Sequence, residues 1–283
     1  MKPLYLNDFF RLTENEIANS KIELNMTNGK GGDPCIDRWL PLTEEKKQSG
    51  LVECSYWGWY QGKRNFYPGQ NVFSFCRLNE RDWLFLSAGK IMDVPQNSHA
   101  SVEILRSYQP LFGRLIICFE KGNTYSRYVF KLASVIERCL IKEILPGIYT
   151  GEKFPGYDNL TISFRQLKKV LAGEMMPSYA EALKEITGVY CLTDKKTGKL
   201  YIGSATGEGG LAQRWGTYLQ NAHGDNQKLI ALHREKGTAY FDNNFTFTLL
   251  EYYTLSYDSA KILQREQIWK DRLQTKKFGY NGN

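Results

Sequence analysis

Glu266 occupies the position in this chain that most needs a chemical reason. It falls within a helix-like run in which Ile262, Trp269 and Leu273 recur on one face, four residues after Ile262 and three before Trp269. A carboxylate centred on an apolar stripe is costly unless it is ion-paired or bound to a cation. A second constellation is Arg214 with Tyr218, whose i, i+4 spacing brings guanidinium and phenol to one helix face. Arginine stays charged and can fork onto two oxygens. Each feature also has a plainer account. Glu266 could form a structural ion pair, for example with Arg214, and Arg214 could be an exposed cation beside a core tyrosine.

The elements that must position these groups read clearly. Residues 188–193 alternate as a strand, 194–198 have turn chemistry, and 200–204 return as the hairpin partner. Residues 209–221 and 226–236 then read as helices, 245–254 as a third strand and 257–274 as a long helix. The pattern predicts a compact ββααβα unit, a three-stranded antiparallel sheet flanked by helices. Tyr190 and Tyr201 fall on its hairpin, at the sheet edge toward which Arg214 and Tyr218 project.

Gly188-Val189-Tyr190 followed by Tyr201-Ile202-Gly203 resembles the paired signature of the GIY-YIG nuclease superfamily, and the helix, strand and helix that follow come in that family's order. The resemblance covers about the last third of the chain. It extends to Arg214 with Tyr218, to Glu266, and to a late Gly279-Tyr280-Asn281. It implies a metal-dependent phosphodiesterase in which Glu266 is the sole direct protein ligand to one divalent ion, Mg²⁺ or Mn²⁺. Arg214 then neutralises the phosphate, Tyr190 is the candidate general base, and Tyr201 and Tyr218 orient water and phosphate. Asn281 supports the site geometry, and the products carry 5′-phosphate and 3′-hydroxyl ends. A free phenol has a pKa of about 10, so a tyrosine base needs nearby positive charge or a water relay. Gly203 and His223 are further candidate substrate contacts. The glycine-rich loop 206–210, longer than the family's, either brings backbone close to a phosphate or is slack.

Upstream, residues 71–78, 83–91 and 114–120 are rich in β-branched and aromatic side chains. Helical periodicity is confined to 135–144 and 164–171. The expectation is an α+β chain: a β-rich domain over 1–177, built as a small barrel, and a nuclease domain over 178–283. Two capping boxes flank the break near 173–177, Ser163 to Gln166 and Ser178 to Glu181. Trp57, Trp59 and Tyr60, interleaved with Lys63 and Arg64, could stack on bases while the charges hold phosphate, although alternating aromatics on a strand are also ordinary core.

The net charge of +7 divides into +3 over 1–185, from 24 basic and 21 acidic residues, and +4 over 186–283, from 13 and 9. A mild positive excess favours an anionic partner. Six cysteines without a CxxC pair, and only three histidines, argue against zinc and for reduced thiols. Apolar runs such as 115–119 fall far short of the roughly 20 residues of a bilayer span. The expected protein is cytoplasmic and makes no membrane contact. Its expected activity is DNA cleavage, with RNA not excluded, in restriction, phage defence or repair, with a homodimer for double-strand cuts. Two alternatives stand beside it: an inactive clamp that binds nucleic acid, and a scaffold that uses Trp57 and Trp59 on a protein partner.

Overall fold

A computed structural model describes residues 3–27, 34–121 and 128–282. The chain folds as two compact units, Met1–Tyr149 and Thr150–Asn283.

The first unit opens with α1 (Leu6–Phe10), α2 (Glu14–Ala18), β1 (Ser20–Asn25), α3 (Cys35–Trp39) and α4 (Glu44–Ser49). The short hairpin β2 (Trp59–Tyr60) and β3 (Lys63–Arg64) follows, then β4 (Asn71–Arg77), β5 (Asp82–Asp93), β6 (Ser101–Ile104), β7 (Leu115–Cys118), β8 (Val129–Lys131) and β9 (Leu140–Ile144). Seven strands form one sheet in the order β8-β1-β4-β5-β7-β9, with β6 also on β5. Among the described residues of this sheet only the β1–β4 pair is parallel. Among the described residues the expected small barrel is not formed, because β8 and β9 are the two edges of an open sheet and do not pair. Strand burial, which the sequence does show, does not reveal which strands become edges. Residues 72–76 and 82–89 are buried without alternation, so both faces of β4 and β5 are covered. One face packs on Leu6, Phe10, Ile22, Leu24, Phe73 and Phe85, the other on Tyr56, Phe66, Val72, Ile91 and Val94. The helical reading of 135–144 also fails. A 3-10 turn at Ile136–Arg138 leads into β9, whose residues find a ladder partner in β7 that local periodicity cannot reveal.

The second unit contains β10 (Thr161–Ser163), α5 (Phe164–Leu171), α6 (Pro177–Glu185), β11 (Ile186–Asp194), β12 (Leu200–Ala205), α7 (Gly210–Asn221) and α8 (Gln227–Lys236). After these come α9 (Thr238–Asn244), β13 (Phe245–Thr254), α10 (Ser259–Arg272) and α11 (Thr275–Phe278). Its sheet has four antiparallel strands, β10-β13-β11-β12, rather than three. The added strand, three residues long, is too short to alternate visibly in sequence; it pairs Thr161 to Ser163 with Thr248 to Thr246. Phe164, the first residue of α5, packs against Phe241 and Phe247. Residues 150–177 therefore belong with the second unit, and the division lies at 149/150 rather than at the expected 177/178. The capping box at Ser163 and Gln166 forms. The one at Ser178 does not: Pro177 takes the first helical position and the Ser178 hydroxyl accepts from Phe154 N–H at 3.1 Å. All six cysteines are free thiols. Among the described residues no helix is long and apolar enough to cross a membrane.

Candidate active site

The site is built on the β11–β12 hairpin, where Tyr190 faces Gly203 across the ladder. The register with β13 shifts between Val189 and Tyr190, where Leu250 is the extra, unpaired residue on β13. Its ring crosses β12 so closely that a Cβ on Gly203 would lie 2.6 Å from the Tyr190 hydroxyl. Gly188 is constrained in the same way by the other neighbour, since a Cβ there would meet the Glu251 carbonyl oxygen at 2.0 Å. The two glycines of the hairpin signature are thus where strand and ring approach each other too closely for any side chain.

Helix α7 lays Arg214 against this hairpin. Arg214 Nε donates to the Tyr190 hydroxyl at 3.1 Å, and a terminal guanidinium nitrogen donates to the Tyr218 hydroxyl at 3.3 Å and to the Gly224 carbonyl at 3.4 Å. The two hydroxyls are 3.1 Å apart. The Tyr201 ring meets the Tyr218 ring edge-on, with centroids 6.2 Å apart. Tyr190 and Tyr218 are fully buried, and burial pushes both phenols well above their ordinary pKa, with Arg214 only partly opposing it. Burial also disfavours charge on Arg214, but the surrounding phenols more than offset this and hold it protonated.

Glu266 comes from α10. Ser204 Oγ donates to its Oε2, and Lys270, one turn further along α10, forms an ion pair with its Oε1. The partner of Glu266 is therefore Lys270 rather than Arg214. A cleft of ≈ 430 Å³ opens beside it, lined by Tyr201, Ser204, Ala205, Thr206, Gly207, Gly210, Gln213, Arg214, Thr217, Leu263 and Glu266. Of the residues singled out in the sequence, Tyr201, Arg214 and Glu266 line this cleft, together with part of the 206–210 loop. Tyr190, Tyr218 and Gly203 lie behind it as its support. Asn281 does not line the cleft: its Oδ1 accepts from Ile202 N–H and its Nδ2 donates to the Ile202 carbonyl, both at 2.8 Å. His223 sits in the turn after α7, where its Nδ1 accepts from the Asp225 N–H at 3.1 Å.

Sequence reasoning missed Ser204, Gln213, Thr217 and Lys270. Lys270 carried a signal, its i+4 spacing from Glu266; Ser204 carried none, because its partner is 62 residues away. The apolar stripe of α10 is also less uniform than it reads. Ile262 is buried, Leu273 is exposed, and Trp269 donates its indole N–H to Glu251 at 2.9 Å. Arg265 pairs with the same carboxylate and, with Tyr253 and Trp269, holds it down to about 2.

Among the described residues no cluster of three His, Cys, Asp or Glu side chains forms. One carboxylate on an open polar cleft, with hydroxyl and backbone oxygens nearby, is a poor fit for zinc. It suits a hard cation that keeps most of its waters.

The aromatic and basic residues singled out upstream lie in the first unit. Trp57 and Tyr60 are 38% and 39% exposed, and Lys63 and Arg64 are exposed on β3. Trp59 is half-buried, with its indole N–H on the Val94 carbonyl at 3.3 Å and the Arg64 guanidinium 5.1 Å above its ring.

Comparison with family models matches residues 186–281 to the GIY-YIG catalytic domain. This segment is a GIY-YIG domain. Its match begins where β11 begins and ends at Asn281, so the GIY-YIG segment contains Tyr190, Tyr201, Arg214, Tyr218, Glu266 and Asn281, while β10, α5 and α6 precede it. The chain is also similar to two solved structures. The catalytic domain of the homing endonuclease I-TevI is 25% identical, matching 34% of this chain and 98% of that one with a TM-score of 0.29. A mutant of the catalytic domain of the intron endonuclease I-TevI is 26% identical, with 34% and 92% covered and a TM-score of 0.28. Comparison with curated proteins gives no match.

Proposed function

We propose that this protein is a divalent-metal-dependent endonuclease that hydrolyses DNA phosphodiester bonds in the cleft between β12, α7 and α10. The observation that carries the reading is that a charged guanidinium, a phenol and a carboxylate, from three separate elements, line that one cleft. Arg214 binds the non-bridging phosphate oxygens, and its hydrogen bonds to Tyr190 and Tyr218 fix its plane before substrate arrives. Tyr190 is the candidate base by resemblance, but burial raises its phenol and it does not reach the cleft surface. Tyr201 does line the cleft, so we assign to it the orientation of the attacking water, whose proton passes to the surrounding solvent. Glu266 is the residue that would hold Mg²⁺ or Mn²⁺. Such an ion, when bound, supplies positive charge to the phosphate and the leaving 3′-oxygen.

A cluster of lysines on the same unit supports an anionic partner. Lys196 lies 5.7 Å above the Tyr240 ring, Lys199 5.7 Å above the Tyr280 ring, and Lys228 donates to the Lys276 and Gly279 carbonyls at 2.9 and 3.3 Å. We take these exposed side chains, with the exposed Lys276 and Lys277, as one basic face suited to a nucleic-acid backbone. The exposed Trp57, Tyr60, Lys63 and Arg64 suit a first unit that selects target or modified bases, as restriction, phage defence or repair in the cytoplasm requires. A homodimer would provide the second cleft for a double-strand cut.

One observation favours a second reading, a clamp that binds without cutting: both oxygens of Glu266 already have protein partners. Incubating supercoiled plasmid with the full chain separates the two. Nicking or linearisation that requires Mg²⁺ or Mn²⁺ and stops with chelator supports the nuclease. Retention of DNA with no cleavage under any divalent ion supports the clamp.

A further inference from the structure

Lys270 has a placement beside Glu266 that the catalytic reading leaves unused. It lies one helical turn after Glu266, and the two side chains are only 15% and 12% exposed. The Lys236–Glu235 pair differs: its side chains are 45% and 66% exposed, so water screens it. A pair as withdrawn as Lys270 and Glu266 is screened far less, and each charge strongly sets the field at the other. The geometry divides the carboxylate between two partners. Ser204 approaches Oε2 from β12 and is neutral, so it orients the group without altering its charge. Lys270 approaches Oε1 from the carboxylate's own helix and cancels that charge.

We propose that Lys270 is a resident counter-cation that lowers the affinity of Glu266 for a divalent ion and keeps the ion exchangeable. This rests on the reading of Glu266 as the metal ligand. A divalent ion arriving at Glu266 has two routes. Either the flexible lysine stem swings its ammonium away and forfeits the ion pair, or the ammonium stays and repels the ion. Both routes weaken binding. The arrangement has a use before loading. An unpaired Glu266 would be a partly buried negative charge facing the incoming phosphodiester, whereas the Lys270 pair leaves that wall of the cleft close to neutral.

Mn²⁺ binding to the full-length protein, read by electron paramagnetic resonance of the free ion or by calorimetry, tests this without reference to cleavage. The wild type, Lys270→Met, Lys270→Arg and Glu266→Gln are compared, with thermal unfolding by circular dichroism confirming that each is folded. Lys270→Gln replaces the methionine variant if that one does not fold. Removing the charge is expected to tighten Mn²⁺ binding roughly tenfold, the scale of one partly screened charge pair. Lys270→Arg is expected to stay near the wild type, and Glu266→Gln to lose the site. If Glu266→Gln loses the site while Lys270→Met binds no tighter than the wild type, the counter-cation role is overturned and the metal reading stands. If Glu266→Gln binds Mn²⁺ like the wild type, the cation is not held at Glu266 and both fall.

Discussion

Asn281 closes both backbone groups of Ile202 at once, accepting from its N–H and donating to its carbonyl at 2.8 Å each. It therefore behaves as a one-residue strand on the free side of β12 and fixes the segment from which Tyr201 reaches the cleft. Asn281→Ala leaves two backbone groups unpaired in a site where Asn281 is itself buried, and is expected to destabilise the fold by about 2–3 kcal/mol. Urea unfolding measures this. At temperatures where the variant is folded, cleavage should fall while Mn²⁺ affinity stays near that of the wild type, since Asn281 does not contact Glu266.

Gly203→Ala places a methyl group into the Tyr190 ring, and the ring must leave the position in which its hydroxyl accepts from Arg214. The expected outcome is loss of cleavage by tenfold or more, on the order of what misplacing one charge-stabilising donor costs. DNA retention, which draws on the lysine face, is expected to change little. Equal loss of binding and cleavage would contradict this division.

Glu251 gives an acid-side prediction. Arg265 chiefly, with Tyr253 and Trp269, holds its carboxyl at about 2, below its ordinary 4.5. A depressed folded pKa adds stability that is fully present above the ordinary value and is lost as pH falls from about 4.5 toward about 2. Arg265 is 37% exposed at its side chain, so water screens the pair and reduces the contribution. Glu251→Gln should be less stable than the wild type at neutral pH, and the gap should close over that acid window. Parallel stability-against-pH curves would refute it.

The lysine face predicts the salt dependence of DNA binding. Replacing Lys196, Lys199, Lys276 and Lys277 by alanine should flatten the slope of log K against log salt by about 0.9 for each phosphate no longer neutralised, uniformly across sequences. In contrast, Trp57→Ala with Tyr60→Ala should leave that slope intact and reduce discrimination between plain, methylated and hydroxymethylated duplexes. An unchanged preference would remove base reading from Trp57 and Tyr60.

How far the sequence revealed this arrangement depends on the range of the interactions. Tyr190, Tyr201 and Arg214 were singled out by the family resemblance of the hairpin tripeptides and of the helix after them, while the strands and principal helices of residues 186–274 follow from local periodicity. The roles within the tyrosine cluster were not legible, because burial decides which phenol faces the cleft and no spacing encodes burial. Glu266 announced itself as an acid on an apolar stripe, whereas its Ser204 partner is brought in by strand β12. In the first unit the barrel expectation failed for a related reason. Runs such as Val72 to Cys76 show that a strand is buried on both faces, but not whether the sheet carrying it closes.

The most direct test of the central claim is Mg²⁺-supported plasmid cleavage by Glu266→Ala and Arg214→Ala proteins shown to be folded. The account predicts that both lose cleavage by at least a hundredfold, on the scale of removing one transition-state charge stabiliser, while still binding DNA. Cleavage by both at the wild-type rate would contradict the assignment of this cleft as the site of the reaction.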